Sequence, residues 1–152
     1  MEDVKLLKEL EIFRDLSSFE ILNVAKLLNS RSFSKGDKIV NQGEEGDSLF
    51  IVKSGEVLVS RENGKGNAET LASLGEGAHF GEIALIDQQP RSANVSATIN
   101  SKLLQMKKED LDKLLSKNVE LAMKIYKAFA VALCKRLRDT NETIFLYKQE
   151  VE

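Results

Sequence analysis

The chain holds one cysteine, one proline, one histidine and no tryptophan in 152 residues. Each scarcity removes a class of function. A lone thiol, Cys134, excludes an internal disulfide and any zinc site built on cysteine pairs. A lone imidazole, His79, excludes the several-histidine metal centre that β-barrel enzymes use, and it reads as a structural residue. No glycine-rich loop carries the lysine of a nucleotide-hydrolysing site, and no second histidine supports a serine nucleophile. The chain is therefore expected not to be an enzyme. No apolar run approaches the ~20 residues a membrane helix needs. The Met1–Lys5 segment alternates charged and apolar residues and lacks a signal-peptide core. The formal net charge is -2, so no basic surplus points to DNA or RNA. A cytoplasmic protein is expected, with neither nucleic acid nor membrane as a direct partner.

What is present is an ordinary balance of 42% hydrophobic and 30% charged residues, enough for one domain with a core. Residues 3–29 read as helix from the spacing of Val4, Leu7 and Leu10, then Ile21, Leu22, Ala25 and Leu28. Asp15–Ser18 interrupts it, and Ser18 reads as a new helix start. All nine glycines fall between Ser32 and Met106, where they separate short apolar runs. Ala93, Val95, Ala97 and Ile99 alternate with polar residues, the period of a strand. Short strands at close spacing indicate a β-sandwich or barrel, and Asn63–Asn67 reads as a hairpin tip. Helix returns at Lys108–Leu111, and Asn118 caps a long helix running to about Tyr147. That helix has two stripes. Leu121, Ile125, Phe129 and Ala132 are expected to face the strands. Tyr126, Ala130, Leu133, Leu137, Thr140, Ile144 and Tyr147 keep the alternating spacing of a coiled-coil seam.

The densest chemistry lies in Phe80–Ala93. Gly81 admits close backbone approach, since it has no side chain. The short helix after it aims N–H groups at an anion, with Ile83 and Ala84 as the donors and small Ala84 leaving room. Arg91 offers a planar fork suited to phosphate oxygens, and Ser92 a hydroxyl. Glu82 accepts hydrogen bonds only when ionised, which suits a sugar hydroxyl. Upstream, Lys35-Gly36-Asp37, Gln42-Gly43, Gly46-Asp47, Phe50-Ile51-Val52 and Gly55 follow in order.

This succession resembles the cyclic nucleotide-binding domain family, found in the catabolite activator protein and in the regulatory subunit of cyclic-AMP-dependent kinase. The resemblance covers roughly residues 10–148. It implies a mainly β fold: an antiparallel β-roll, or jelly roll, with N-terminal helices, a short phosphate-binding helix and a long C-terminal helix. Residues 1–152 would form one domain, with helices over 1–30, the roll over 31–106 and helices over 107–148. It implies Arg91 on the cyclic phosphate and Glu82 on the ribose 2′-hydroxyl. Val59 and Leu71 match positions that face the purine. Thr140 and Asn141 match the adenine-reading pair of the long helix, with asparagine in place of serine, and Arg136 is a further base contact. The implied ligand is cAMP, with cGMP possible, since Ser92 could also reach a guanine amino group. The implied assembly is a homodimer through the long helix. No downstream effector is named by the resemblance. Two other readings compete: an interaction module with the same fold and another ligand or none, and a sensor excised from a larger regulator. A DNA-binding regulator is disfavoured, because the roughly five residues expected after the long helix leave no room for a helix-turn-helix.

Overall fold

Strand formation between Asn29 and Lys107 follows the glycine punctuation. In the computed structural model, which describes residues 2–151, eight strands occupy this stretch: β1 Asn29–Phe33, β2 Lys38–Val40, β3 Ser48–Ser54, β4 Val57–Glu62, β5 Ala68–Leu74, β6 His79–Phe80, β7 Asn94–Ala97 and β8 Ser101–Lys107. Met1 and Glu152, the ends of the expected domain, lie outside the described residues. The strands form two four-stranded antiparallel sheets, in the orders β1-β8-β3-β6 and β2-β7-β4-β5. This is the β-roll the resemblance implies. Val40, Phe50, Val52, Val57, Val95 and Leu103 form its core, with Phe33, Val59 and Phe80 packed against them. Phe50 and Phe80 stack with ring centroids 5.1 Å apart, which anchors β6 to β3. The β4–β5 hairpin turns at Asn63, whose side-chain oxygen accepts from the N–H groups of Lys65 and Asn67.

The helices are α1 Glu2–Lys8, α2 Ser18–Ala25, α3 Ala84–Asp87, α4 Lys108–Ser116 and α5 Val119–Val151, with a 3₁₀ turn at Glu11–Phe13. The helical reading of residues 3–29, interrupted at Asp15–Ser18, is corrected at both ends. The first helix breaks before Glu11, and β1 already begins at Asn29. The helical spacing before the break conceals it because Leu7, Leu10, Ile12 and Phe13 are all buried, whichever turn type carries them. The second helix, α2, begins at Ser18 as read, and Ser17 caps it. Ser17 Oγ accepts from the Glu20 N–H and Glu20 Oε1 from the Ser17 N–H, a reciprocal capping box.

Two compact units divide the chain. The β unit takes residues 23–114, and the helical unit takes the residues up to Leu22 and those from Leu115 onward. In the helical unit, Asn118 Oδ1 caps α5 by accepting from Leu121 N–H at 3.1 Å. Leu121, Ile125 and Phe129 are buried, and α5 packs along the 3₁₀ turn. Lys124 Nζ donates to Glu20 Oε1 at 2.8 Å and holds its carboxyl below the usual carboxylate range. From Ala130 onward the other stripe is exposed: Leu133, Leu137, Ile144 and Tyr147, with the single thiol, Cys134, beside them.

Candidate functional site

Phe80 pairs with Phe50, so the chain leaves β6 at a fixed point and turns at Gly81. Gly81 has φ +85°, and a Cβ there would fall 2.5 Å from Arg91 Nη1 and 2.6 Å from the Ser48 carbonyl oxygen. Only glycine meets both demands. The Gly81 and Glu82 carbonyls accept from the Ala84 and Leu85 N–H groups at 3.0 and 3.1 Å, which winds the chain into α3. The Ala84 N–H, expected to face a ligand, is thus directed back along its own turn in this structure.

The segment after α3 is pinned to the loop before β3. Arg91 N–H donates to the Glu44 carbonyl at 2.7 Å, Gly43 N–H to the Arg91 carbonyl at 2.9 Å, and Gly46 N–H to the Gln89 carbonyl at 3.1 Å. Gln42 extends the same arrangement: its N–H donates to buried Asn94 Oδ1 and its amide pairs with the Glu62 backbone. The Gln42-Gly43 and Gly46-Asp47 motifs therefore serve this one segment, which delivers Arg91, whereas Gly36 bonds to Ala97 and Gly55 lies against Ser101. The guanidinium Nη2 donates to the Ser48 carbonyl at 2.8 Å. Burial pushes the Arg91 pKa down, and the charge of Asp47 opposes that shift. An arginine keeps its proton even so.

A cleft of about 360 Å³ opens here, lined by Gly81, Glu82, Ile83, Ala84, Arg91 and Ser92 over an apolar floor that includes Val40, Val59 and Val95. This volume suits a small ligand. Glu82 projects a carboxylate whose Oε2 lies 3.3 Å from His79 Nδ1, so the histidine read as merely structural touches a site residue. The lining offers a cation and a hydroxyl for an anion, a carboxylate for hydroxyl groups and an apolar floor for a flat body. Among the described residues, no group of three or more His, Cys, Asp or Glu could hold a metal ion.

Seven of the residues picked from sequence thus come together: Gly81, Glu82, Ile83, Ala84, Arg91, Ser92 and Val59. Leu71 does not line the cleft in this structure and is 54% exposed. Val59 pairs with Ala72 and Ser60 with Thr70, so Leu71 is the extra residue of a β-bulge. A bulged residue leaves the alternation that would have put it beside Val59. Arg136 and Thr140 line a different groove of about 390 Å³, inside the helical unit, with Glu11, Lys135 and Asp139, and Asn141 is exposed on α5. Sequence reasoning missed Ser48 and Gln105, both buried polar residues; Gln105, standing inside the Leu103–Met106 run, was the available signal, whereas Ser48 only opens β3.

The family model for the cyclic nucleotide-binding domain matches residues 30–118. A cAMP-dependent protein kinase regulatory subunit from Yarrowia lipolytica is 37% identical over 109 residues, covering 72% of this chain and 28% of the relative. The chain spans about a quarter of the length of the curated relatives it matches. The N-terminal domain of a transcriptional regulator from Streptomyces coelicolor has a similar structure, with TM-score 0.79 and 29% identity over 91% of this chain and 94% of that one. The regulatory domain of Toxoplasma gondii PKA, solved with cAMP, gives TM-score 0.66 and 30% identity over 77% of this chain and 48% of that one.

Proposed function

We propose, from the premise that this chain belongs to the cyclic nucleotide-binding domain family, that its cleft takes cAMP and that the protein is a regulatory sensor. The observation that carries this is the convergence of Glu82, Arg91 and Ser92 on one small cleft with an apolar floor. Arg91 and the Ser92 hydroxyl neutralise and bind the cyclic phosphate. Glu82 accepts from the ribose 2′-hydroxyl, and Val59 supports the base. The preference for cAMP over cGMP rests on the relative crystallised with cAMP and on the likeness of Thr140 and Asn141 to an adenine-reading pair. To those two residues and Arg136 we assign base recognition, and to Leu71 a lesser part, on the resemblance alone.

The output passes through α5, whose exposed seam suits a second copy of this chain, so the working form is a homodimer. Ligand binding can shift α5 only as far as its affinity differs between the two positions of the helix. We place the protein in the cytoplasm. A free thiol suits that compartment, and among the described residues no helix is long and apolar enough to cross a membrane.

The test is calorimetric titration with cAMP and with cGMP, after bound nucleotide has been stripped and the protein refolded. Binding of cAMP in the micromolar range or tighter is expected, with cGMP weaker. Arg91→Ala should weaken cAMP by about a hundredfold or more, because a charge-assisted pair is lost while the phosphate must still be desolvated. Unchanged affinity in that variant sinks the assignment.

A further inference from the structure

Three polar side chains share the face of their strands that carries the core, two of them buried and the third, Arg31, exposed on the edge strand β1. Phe33, Leu103, Phe50 and Val52 all pack in the core of the β unit. Period two therefore puts Arg31 of β1, Gln105 of β8 and Ser48 of β3 on the same face of three adjacent strands. Ser48 is fully buried and Gln105 is 7% exposed, so their bonds matter. Arg31 Nη1 donates to Gln105 Oε1 at 2.7 Å, Gln105 Nε2 donates to Ser48 Oγ at 2.8 Å, and Ser48 Oγ donates to Asp47 Oδ1 at 2.9 Å.

The chain of bonds has one direction. A guanidinium carries donors only, so Arg31 fixes which end of the Gln105 amide faces it. The amide must then present its NH₂ to Ser48. A hydroxyl that accepts there spends its single hydrogen elsewhere, and the Asp47 carboxylate takes it. Asp47 is the charge that opposes the desolvation of Arg91, and Ser48 supplies the carbonyl that Arg91 Nη2 binds. The carbonyl that binds the phosphate-binding arginine, and the carboxylate whose charge acts on it, therefore sit at the end of this relay.

We propose that Gln105, oriented by Arg31, is a positioning residue for Arg91: through Ser48 it fixes the carbonyl that holds the guanidinium in place for an anion, and it orients the neighbouring Asp47 carboxylate. This rests on the reading of the cleft as a cyclic-nucleotide site. Leucine or methionine at 105 would keep the volume and remove the relay. Glutamate would keep the Arg31 pair and lose the donor to Ser48, drawing that hydroxyl away from Asp47.

The experiment combines Gln105→Met, Gln105→Glu and Arg31→Met with Arg91→Ala in a double-mutant cycle on cAMP affinity. The side-chain Nε–H resonance of Arg91 is recorded in the ligand-free proteins. About a tenfold loss is expected for either Gln105 variant and a smaller one for Arg31→Met, each shrinking to less than about twofold when Arg91 is already alanine. The Arg91 resonance should shift in all three. A loss of the same size in the Arg91→Ala background would show a merely structural role and overturn the proposal. So would an unmoved resonance with unchanged affinity. If Gln105 variants do not fold, Arg31→Met on the exposed strand decides by the same criteria. A wild type that binds no cAMP would overturn the ligand reading, and the resonance alone would then judge whether the relay orients Arg91.

Discussion

The surroundings of Arg91 and the second half of α5 treat their side chains in opposite ways. Around Arg91, polar groups are committed to partners inside the β unit: the Ser48 carbonyl, the Glu44 and Gln89 carbonyls, and the bonds that run back to Arg31. Beyond Ala130, α5 displays Leu133, Leu137, Ile144 and Tyr147 to solvent. The first region is organised before any ligand arrives, which reduces the ordering cost of binding. The second has its apolar groups in place and no cover for them within the helical unit. A sensor needs both conditions: a rigid place for recognition, and an element whose surroundings can still change.

Gly81→Ala should erode that contrast most. The added methyl meets Arg91 and the Ser48 carbonyl at a backbone angle alanine resists. We expect a loss of about tenfold in cAMP affinity and about 1–3 kcal/mol in stability, measured by titration and chemical denaturation. Charging the seam, as in Leu137→Glu with Ile144→Glu, acts on the other region. Self-association followed by sedimentation velocity should weaken by about tenfold or more, while the melting temperature moves little, because both residues are already exposed. Unaltered sedimentation would remove the second copy as the partner of the seam. The smallest effect concerns the Glu20–Lys124 pair. The folded Glu20 pKa lies below its ordinary value, so the pair stabilises the protein above the unfolded pKa and loses its contribution as pH falls through the folded one. Glu20→Gln should lower the melting temperature by a few degrees near neutral pH, for a single half-buried pair, and the gap should close under acid.

Local chemistry was readable along the chain. Asn118 caps α5 and Asn63 closes its hairpin by bonds that span a few residues, and the glycine of the Phe80–Ala93 stretch stands where a turn requires it. Relations across long separations were less so. The extra residue at Leu71 depends on the register of β4 against β5, which no run of seven residues declares by itself. The contact of His79 with Glu82 depends on how tightly Gly81 turns. Ser48 and Gln105 lie 57 positions apart, and alone one looks like the polar start of a strand and the other like a lapse in an apolar run. The end of α1 at Lys8, ahead of the interruption read at Asp15–Ser18, hides for a different reason, since a 3₁₀ turn and an α-helix bury nearly the same residues.

Cys134 gives the exposed seam a built-in reporter. It is the sole thiol of the chain, it faces solvent, and it stands between Leu133 and Leu137. A nitroxide attached there would label the natural sequence at one position only. Two copies joined along the seam would bring two spins within dipolar range, and the distance distribution would follow the helix as nucleotide is added.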